Sequence, residues 1–160
     1  MSWLPRFTAI ENRLLDRARS PQAARAAVEP LTGSVEDFAG HKYCVLVTYR
    51  RKGAPVPTPV WFGTADGKLY VHAGGAKVKR IAANRKVRVA PATFRGRPLC
   101  APVAATARVL SSADEGIAER AIQSNYGWGR RLYYRLITQR DLGVYIEITP
   151  DAAASETGTE

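Results

Sequence analysis

A mainly β fold, a small antiparallel barrel with helices on its outside, is what this sequence predicts, and three observations carry the prediction. Between Tyr43 and Ile148 the chain runs mostly as short segments of strand character, punctuated by turns such as Lys52-Gly53, Asp66-Gly67 and Arg95-Gly96. A single short helix, Ala76 to Asn84, is inserted among these strands rather than alternating with them, which argues against a parallel α/β sheet. The chain has 160 residues, enough for one domain with a real core, and shows no internal repeat.

The N-terminal stretch is helical in pattern. Leu4, Phe7, Ile10, Leu14 and Leu15 recur at helical spacing up to Arg19, with arginines between them. Ser20-Pro21 interrupts, and a second short helix from Ala23 to Val28 must stop before Pro30. Residues 1–41 are thus expected to form a helical extension laid over the core.

From Tyr43 the period changes. Tyr43 to Arg50 is apolar on both faces, as in a strand enclosed by a barrel. Pro55 to Phe62 is the second strand, and the segment from Gly67 to Gly74 holds the third, completing a meander. After the helix, Val87 to Phe94 and Ala104 to Ser111 read as strands. Asp114 to Tyr126 reads as a helix with Ala118, Ala121 and Ile122 facing inward. A further helix over Trp128 to Ile137 and a last strand, Val144 to Ile148, complete the barrel region at 42–150. Residues 151–160 read as a frayed polar tail.

The net charge of +10 speaks to partners rather than to fold: nucleic acid, an anionic surface or a polyanionic small molecule. No Asp or Glu occurs between Gly67 and Ala113, while Lys68, Lys77, Lys79, Arg80, Arg85, Lys86, Arg88, Arg95, Arg97 and Arg108 all fall there. These cations do not alternate with aromatics in a stacking platform, which argues against nucleic acid. No apolar run reaches bilayer length, and the start lacks the pattern of a secretory signal. Cys44 and Cys100 stand apart, without metal-ligand spacing. The expectation is a cytoplasmic protein with reduced thiols, no metal and a small anionic ligand.

Two constellations carry chemistry. In a strand the N–H groups of residues i, i+2 and i+4 face one edge, so Pro55, Pro57 and Pro59 strip donors from one edge of theirs. That edge offers carbonyls only. It reads either as protection against aggregation or as a seat for a ligand that brings its own N–H groups. In the helix, Val78, Ile81 and Ala82 form the inward face, with Lys77 and Arg80 on one flank and Lys79 on the other. Gly74-Gly75 before it permits close approach of an anion to the helix start. No GxSxG, Walker or GxGxxG sequence is present, so an enzyme here would leave the chemistry to a cofactor.

Together, Tyr43 to Gly53, Val56-Pro57-Thr58-Pro59-Val60-Trp61-Phe62, Lys77-Val78-Lys79-Arg80-Ile81, Ala90-Pro91, Arg95-Gly96-Arg97-Pro98 and Tyr145 to Pro150 resemble the pyridoxamine 5′-phosphate oxidase-like, F420-dependent oxidoreductases. The likeness runs from Lys42 to Pro150. It implies a split β-barrel and a homodimer with cofactor sites at the subunit interface. It implies that Thr58, Pro59, Val60 and Trp61 lie along a deazaflavin ring, and that Lys77, Lys79 and Arg80 serve its phosphate and acidic tail. The activity implied is hydride transfer from reduced coenzyme F420 to an unsaturated organic substrate. The alternatives are an FMN-dependent oxidase or reductase on the same fold and a non-enzymatic flavin- or haem-type cofactor-binding protein, since the wider superfamily includes haem-binding members. No proton donor stands out; Thr48, Tyr126 and solvent are the candidates.

Overall fold

In the computed structural model of the chain, residues 19–126 and 143–152 are described. The six strands are β1 (Tyr43–Tyr49), β2 (Pro55–Ala65), β3 (Lys68–Ala73), β4 (Lys86–Ala92), β5 (Val103–Val109) and β6 (Val144–Pro150). They close into an antiparallel barrel in the order β1-β2-β3-β6-β5-β4, with β4 returning to β1. The expected barrel is therefore what the chain forms.

Strand alternation sorts the side chains. Cys44, Leu46, Val60, Phe62, Leu69, Val71, Val87, Val89, Ala105, Ala107, Ile146 and Ile148 belong to one buried cluster, the barrel interior. The intervening residues of β1, Val45 and Val47, face outward with Ala90 and Ala92 of β4. That outer face explains why β1 is apolar on both sides: the N-terminal segment covers it. A 3-10 turn at Pro21–Ala24 leads into the single helical turn α1 (Arg25–Val28), and Ala23 and Ala26 are fully buried against Val45 and Val47. Gly33 then passes so close to Ala101 that a Cβ would stand 2.1 Å from its carbonyl oxygen.

Phe38 and Ile81 also join the interior cluster, Phe38 meeting Phe62 edge-on at 5.5 Å. Ile81 comes from helix α2 (Ala76–Ala83), which packs against β1 and β5 at the end of the barrel that holds Thr48. Helix α3 (Glu115–Tyr126) lies on the outside, with Ala118, Ala121 and Ile122 buried against Tyr70 and Leu110. It lies directly on β2: a Cβ at Gly63 would stand 2.1 Å from the Ala121 carbonyl oxygen.

Several elements differ from expectation at their ends. β2 continues to Ala65, because Phe62 to Ala65 pair with β3 after the prolines have ended. β6 runs on to Pro150, where Thr149 pairs with Thr106. Ala82 is exposed; only Ile81 of the expected inward trio is buried, since an eight-residue helix across a barrel end presents one turn to the core. The expected helices at Leu4 to Arg19 and Trp128 to Ile137 lie, save for Arg19, outside the described residues, as do residues 153–160 of the tail.

Candidate functional site

The proline strand is half edge. β1 pairs with β2 along its length, Tyr43 opposite Trp61 through Tyr49 opposite Pro55, whereas β3 meets β2 only from Phe62 onward. Prolines have no N–H for the β1 ladder, so Val56, Thr58 and Val60 turn their amides to β1 and the prolyl carbonyls face away from it. Part of that row is already engaged, for Arg19 donates from Nη1 to the Pro57 carbonyl at 2.6 Å. The edge is thus lined by carbonyls as the residue spacing implies, and the N-terminal segment reaches it.

The expected ring-contacting residues divide between two faces. Val60 is buried in the barrel interior, and Thr58, opposite inward-facing Leu46, shares that face. Pro59 lies opposite Val45 on the outer face, and Trp61 opposite Tyr43. Trp61 stacks on Tyr126 with ring centres 4.8 Å apart, and Tyr43 contacts both Trp61 at 6.1 Å and Phe94 at 5.4 Å, each edge-on. Phe94 is 63% exposed, so an aromatic row runs from helix α3 across β2 and β1 to open solvent.

Helix α2 carries the expected cations. Gly75 enters it at φ 69°, a conformation that suits glycine, and no side chain caps the first turn. Lys79 is exposed and Lys77 half-buried. Arg80 behaves differently: its Nε donates to the hydroxyl of Thr48, which is fully buried. The three cations therefore share one helix at the Tyr49 end of the barrel, but Arg80 turns a donor into the fold. Trp61 lies at the opposite end of the β1–β2 pairing.

Of the two side-chain candidates for proton donor, Tyr126 has its hydroxyl proton engaged, and Thr48 is fully buried. Thr48 is enclosed and holds Arg80. The Tyr126 hydroxyl accepts from the Phe62 amide at 2.9 Å and donates to the Lys42 carbonyl, tying α3 to two strands. Both residues serve the architecture.

Sequence reasoning missed one ionic cluster. Glu147, on the outward face of β6, is only 7% exposed and accepts from Arg108 at 2.9 Å, with Lys68 3.4 Å away and the Tyr70 hydroxyl at 3.3 Å. The Arg108 hydrogen bond holds the Glu147 carboxyl below its ordinary range, with burial opposing. Burial first, and then the Glu147 charge, push the Tyr70 phenol up. A lone acid in a strand of apolar residues was the available signal. Among the described residues no group of three His, Cys, Asp or Glu side chains could hold a metal ion. Burial pushes the Cys44 thiol up, so it is unreactive as a thiolate. No described helix is long and apolar enough to cross a membrane.

No protein-family model and no curated protein matches the chain. Solved structures do. HutZ, the haem storage protein from Vibrio cholerae, aligns over 74% of this chain and 87% of its own at 12% identity, TM-score 0.57. An FAD-binding protein from Mesorhizobium loti aligns over 73% and 84% at 15% identity, TM-score 0.53. A candidate pyridoxamine 5′-phosphate oxidase from Listeria innocua aligns over 74% and 90% at 18% identity, TM-score 0.50. The chain therefore has the fold of the pyridoxamine 5′-phosphate oxidase-like, FMN-binding split barrels.

Proposed function

We propose that this protein is a cofactor-dependent oxidoreductase that seats a planar, phosphorylated deazaflavin, coenzyme F420, along β2 and transfers a hydride from it to an unsaturated organic substrate. The observation that carries the proposal is the β2 edge. From Pro55 to Trp61 a row of prolyl carbonyls faces away from β1, with the cations of α2 at one end of the strand and the Trp61–Tyr126 stack at the other. A ring with its own N–H groups finds acceptors along Pro59 and an apolar wall at Trp61. Lys77 and Lys79, with the uncapped first turn of α2, suit its phosphate.

When bound, the reduced ring would supply the hydride. The chain's own contribution would be alignment: β2 belongs to a closed barrel and α2 packs on it, and this rigid frame would orient a bound ring toward its acceptor. With Thr48 fully buried and the Tyr126 hydroxyl proton donated to the Lys42 carbonyl, solvent would supply the proton that completes the reduction. A homodimer with the site at its interface belongs to the same proposal, since among the described strands β3 meets β2 only from Phe62 onward, and Phe94 is an exposed apolar side chain.

FMN is the second reading, supported by the likeness to an FAD-binding protein, and haem the third, by the likeness to a haem storage protein. Parallel titration of the purified protein with F420, FMN and haem, followed by absorbance, separates all three. Saturable F420 binding with FMN and haem inert is the expected result. Saturation by haem alone overturns the proposal.

A further inference from the structure

Beyond β4 the chain folds back in the turn Thr93 to Arg97, and an open cleft of about 390 Å³ lies between this turn and the N-terminal segment. Ser20, Pro21, Gln22, Thr93, Arg95 and Arg97 line it. The cleft is a built feature. Thr93 and Arg97 exchange backbone contacts, Thr93 N donating to the Arg97 carbonyl at 3.0 Å and Arg97 N to the Thr93 hydroxyl at 3.1 Å. Ser20 N donates to the Arg95 carbonyl at 2.7 Å, locking the other wall. Between them Gly96, at φ 88°, is buried, and a Cβ there would be in ordinary van der Waals contact with Pro59 and Ala23, 3.4 and 3.5 Å from their Cβ atoms.

Among its described lining residues the charge has one sign. Two of the six lining residues are arginines and, among the described residues, none is a carboxylate. Thr93 Oγ1 accepts an amide, so its own proton remains a donor. Gly96, within the turn that forms one wall of the cleft, neighbours Pro59, while Arg80 binds Thr48 opposite Val56 near the start of β2. Three residues of strand, about 10 Å, separate Val56 from Pro59. The turn that carries Arg95 and Arg97 thus lies beside Pro59, and α2, which carries Lys77 and Lys79, lies beside the Thr48–Val56 pair.

We infer that the Thr93–Arg97 cleft is an oxyanion subsite that takes a phosphate or carboxylate group of the ligand lying along β2. The inference rests on the proposed seating of that ligand, and extends it to a ligand anionic at two separated points.

The test follows the arginine side-chain Nε–Hε resonances of the full chain by NMR during titration with inorganic pyrophosphate and, separately, with a triglutamate peptide. Arg95 and Arg97 should shift saturably, while Arg51 at the β1–β2 turn stays still. Arg97→Gln should weaken the saturating anion about tenfold or more, as loss of a charge-assisted contact does, and Arg120→Gln on α3 should not. Saturation by pyrophosphate alone assigns the subsite to phosphate, and saturation by triglutamate alone to carboxylates. If all exposed arginines drift in parallel without saturation, or both variants behave alike, the subsite does not exist. Should pyrophosphate saturate at Arg97 while no ring cofactor binds, the subsite stands and the proposed cofactor falls.

Discussion

Arg80 Nε donates to the Thr48 hydroxyl at 2.7 Å, joining an eight-residue helix to a fully buried position on β1. An arginine that sequence alone places among ligand-binding cations is therefore also a structural clamp. Arg80→Ala leaves the buried hydroxyl without this donor and should cost about 1 to 3 kcal/mol of stability. Lys79→Ala, exposed on the same helix, should stay within about 0.5 kcal/mol. Urea denaturation of both variants checks the contrast, and equal midpoints would show that the Arg80–Thr48 bond carries nothing.

Gly63 and Ala121 make the tightest contact between helix α3 and the barrel. A methyl at Gly63 would be driven to 2.1 Å from the Ala121 carbonyl oxygen and 2.4 Å from the Ile122 amide, and backbone cannot rotate away as a side chain can. Gly63→Ala should destabilise the protein by about 3 kcal/mol, at the upper end of overpacking effects. Gly67→Ala serves as comparison: its site at φ 73° is strained but spatially open, so the cost should be nearer 1 kcal/mol, roughly that of a misplaced backbone conformation. Thermal melts that rank Gly67→Ala as the more harmful would refute the packing argument.

Glu147 gives the stability a pH dependence of definite sign. Hydrogen bonding to Arg108 depresses its folded pKa below the ordinary value of 4.5, so the unfolded chain binds the proton more readily. Its contribution is fully present above that value and is lost as pH falls through the depressed folded pKa. Glu147→Gln should therefore flatten the stability profile below pH 4.5, with urea midpoints at successive pH values as the readout. An unchanged slope in that window would mean the carboxylate is not what acid removes.

How far the sequence discloses this molecule depends on the range of each interaction. Alternation and turn residues are local, so the barrel strands between Tyr43 and Ile148 and the inward face of α3 can be read directly. The apolar outward face of β1 is also visible, but its cause is not: Ala23 and Ala26 meet Val45 and Val47 through chain about 20 residues away, and small alanines carry no pattern that names a partner. Gly63 looks like a weak point in a strand until α3 is laid across it. Tyr126 and Thr48 look like candidate donors until the Lys42 carbonyl that takes the Tyr126 proton and the full burial of Thr48 are known. At the candidate site, the carbonyl edge follows from proline chemistry alone, whereas the arrival of Arg19 on Pro57 depends on a chain path that spacing does not encode.

Lys77 and Lys79 carry the last prediction. Both lie on α2, whose only buried residue is Ile81, so neither is the helix's core anchor. If the first turn of α2 receives a cofactor phosphate, Lys77→Ala and Lys79→Ala should each weaken F420 or FMN binding by about 1 to 3 kcal/mol, while leaving the fold intact. The effect should shrink in high salt, most at exposed Lys79, because exposed cations are screened. The control must be a cation without a structural duty. Arg88 does not qualify, since its Nη1 donates to the Glu29 carbonyl at 2.9 Å and holds the end of α1 against β4. Arg120, exposed on α3, changes the net charge equally from a different element. If Arg120→Ala weakens the cofactor as much as either lysine variant, the protein attracts an anion only through its overall positive field. The phosphate then has no address on α2, and the two lysines lose their assigned role.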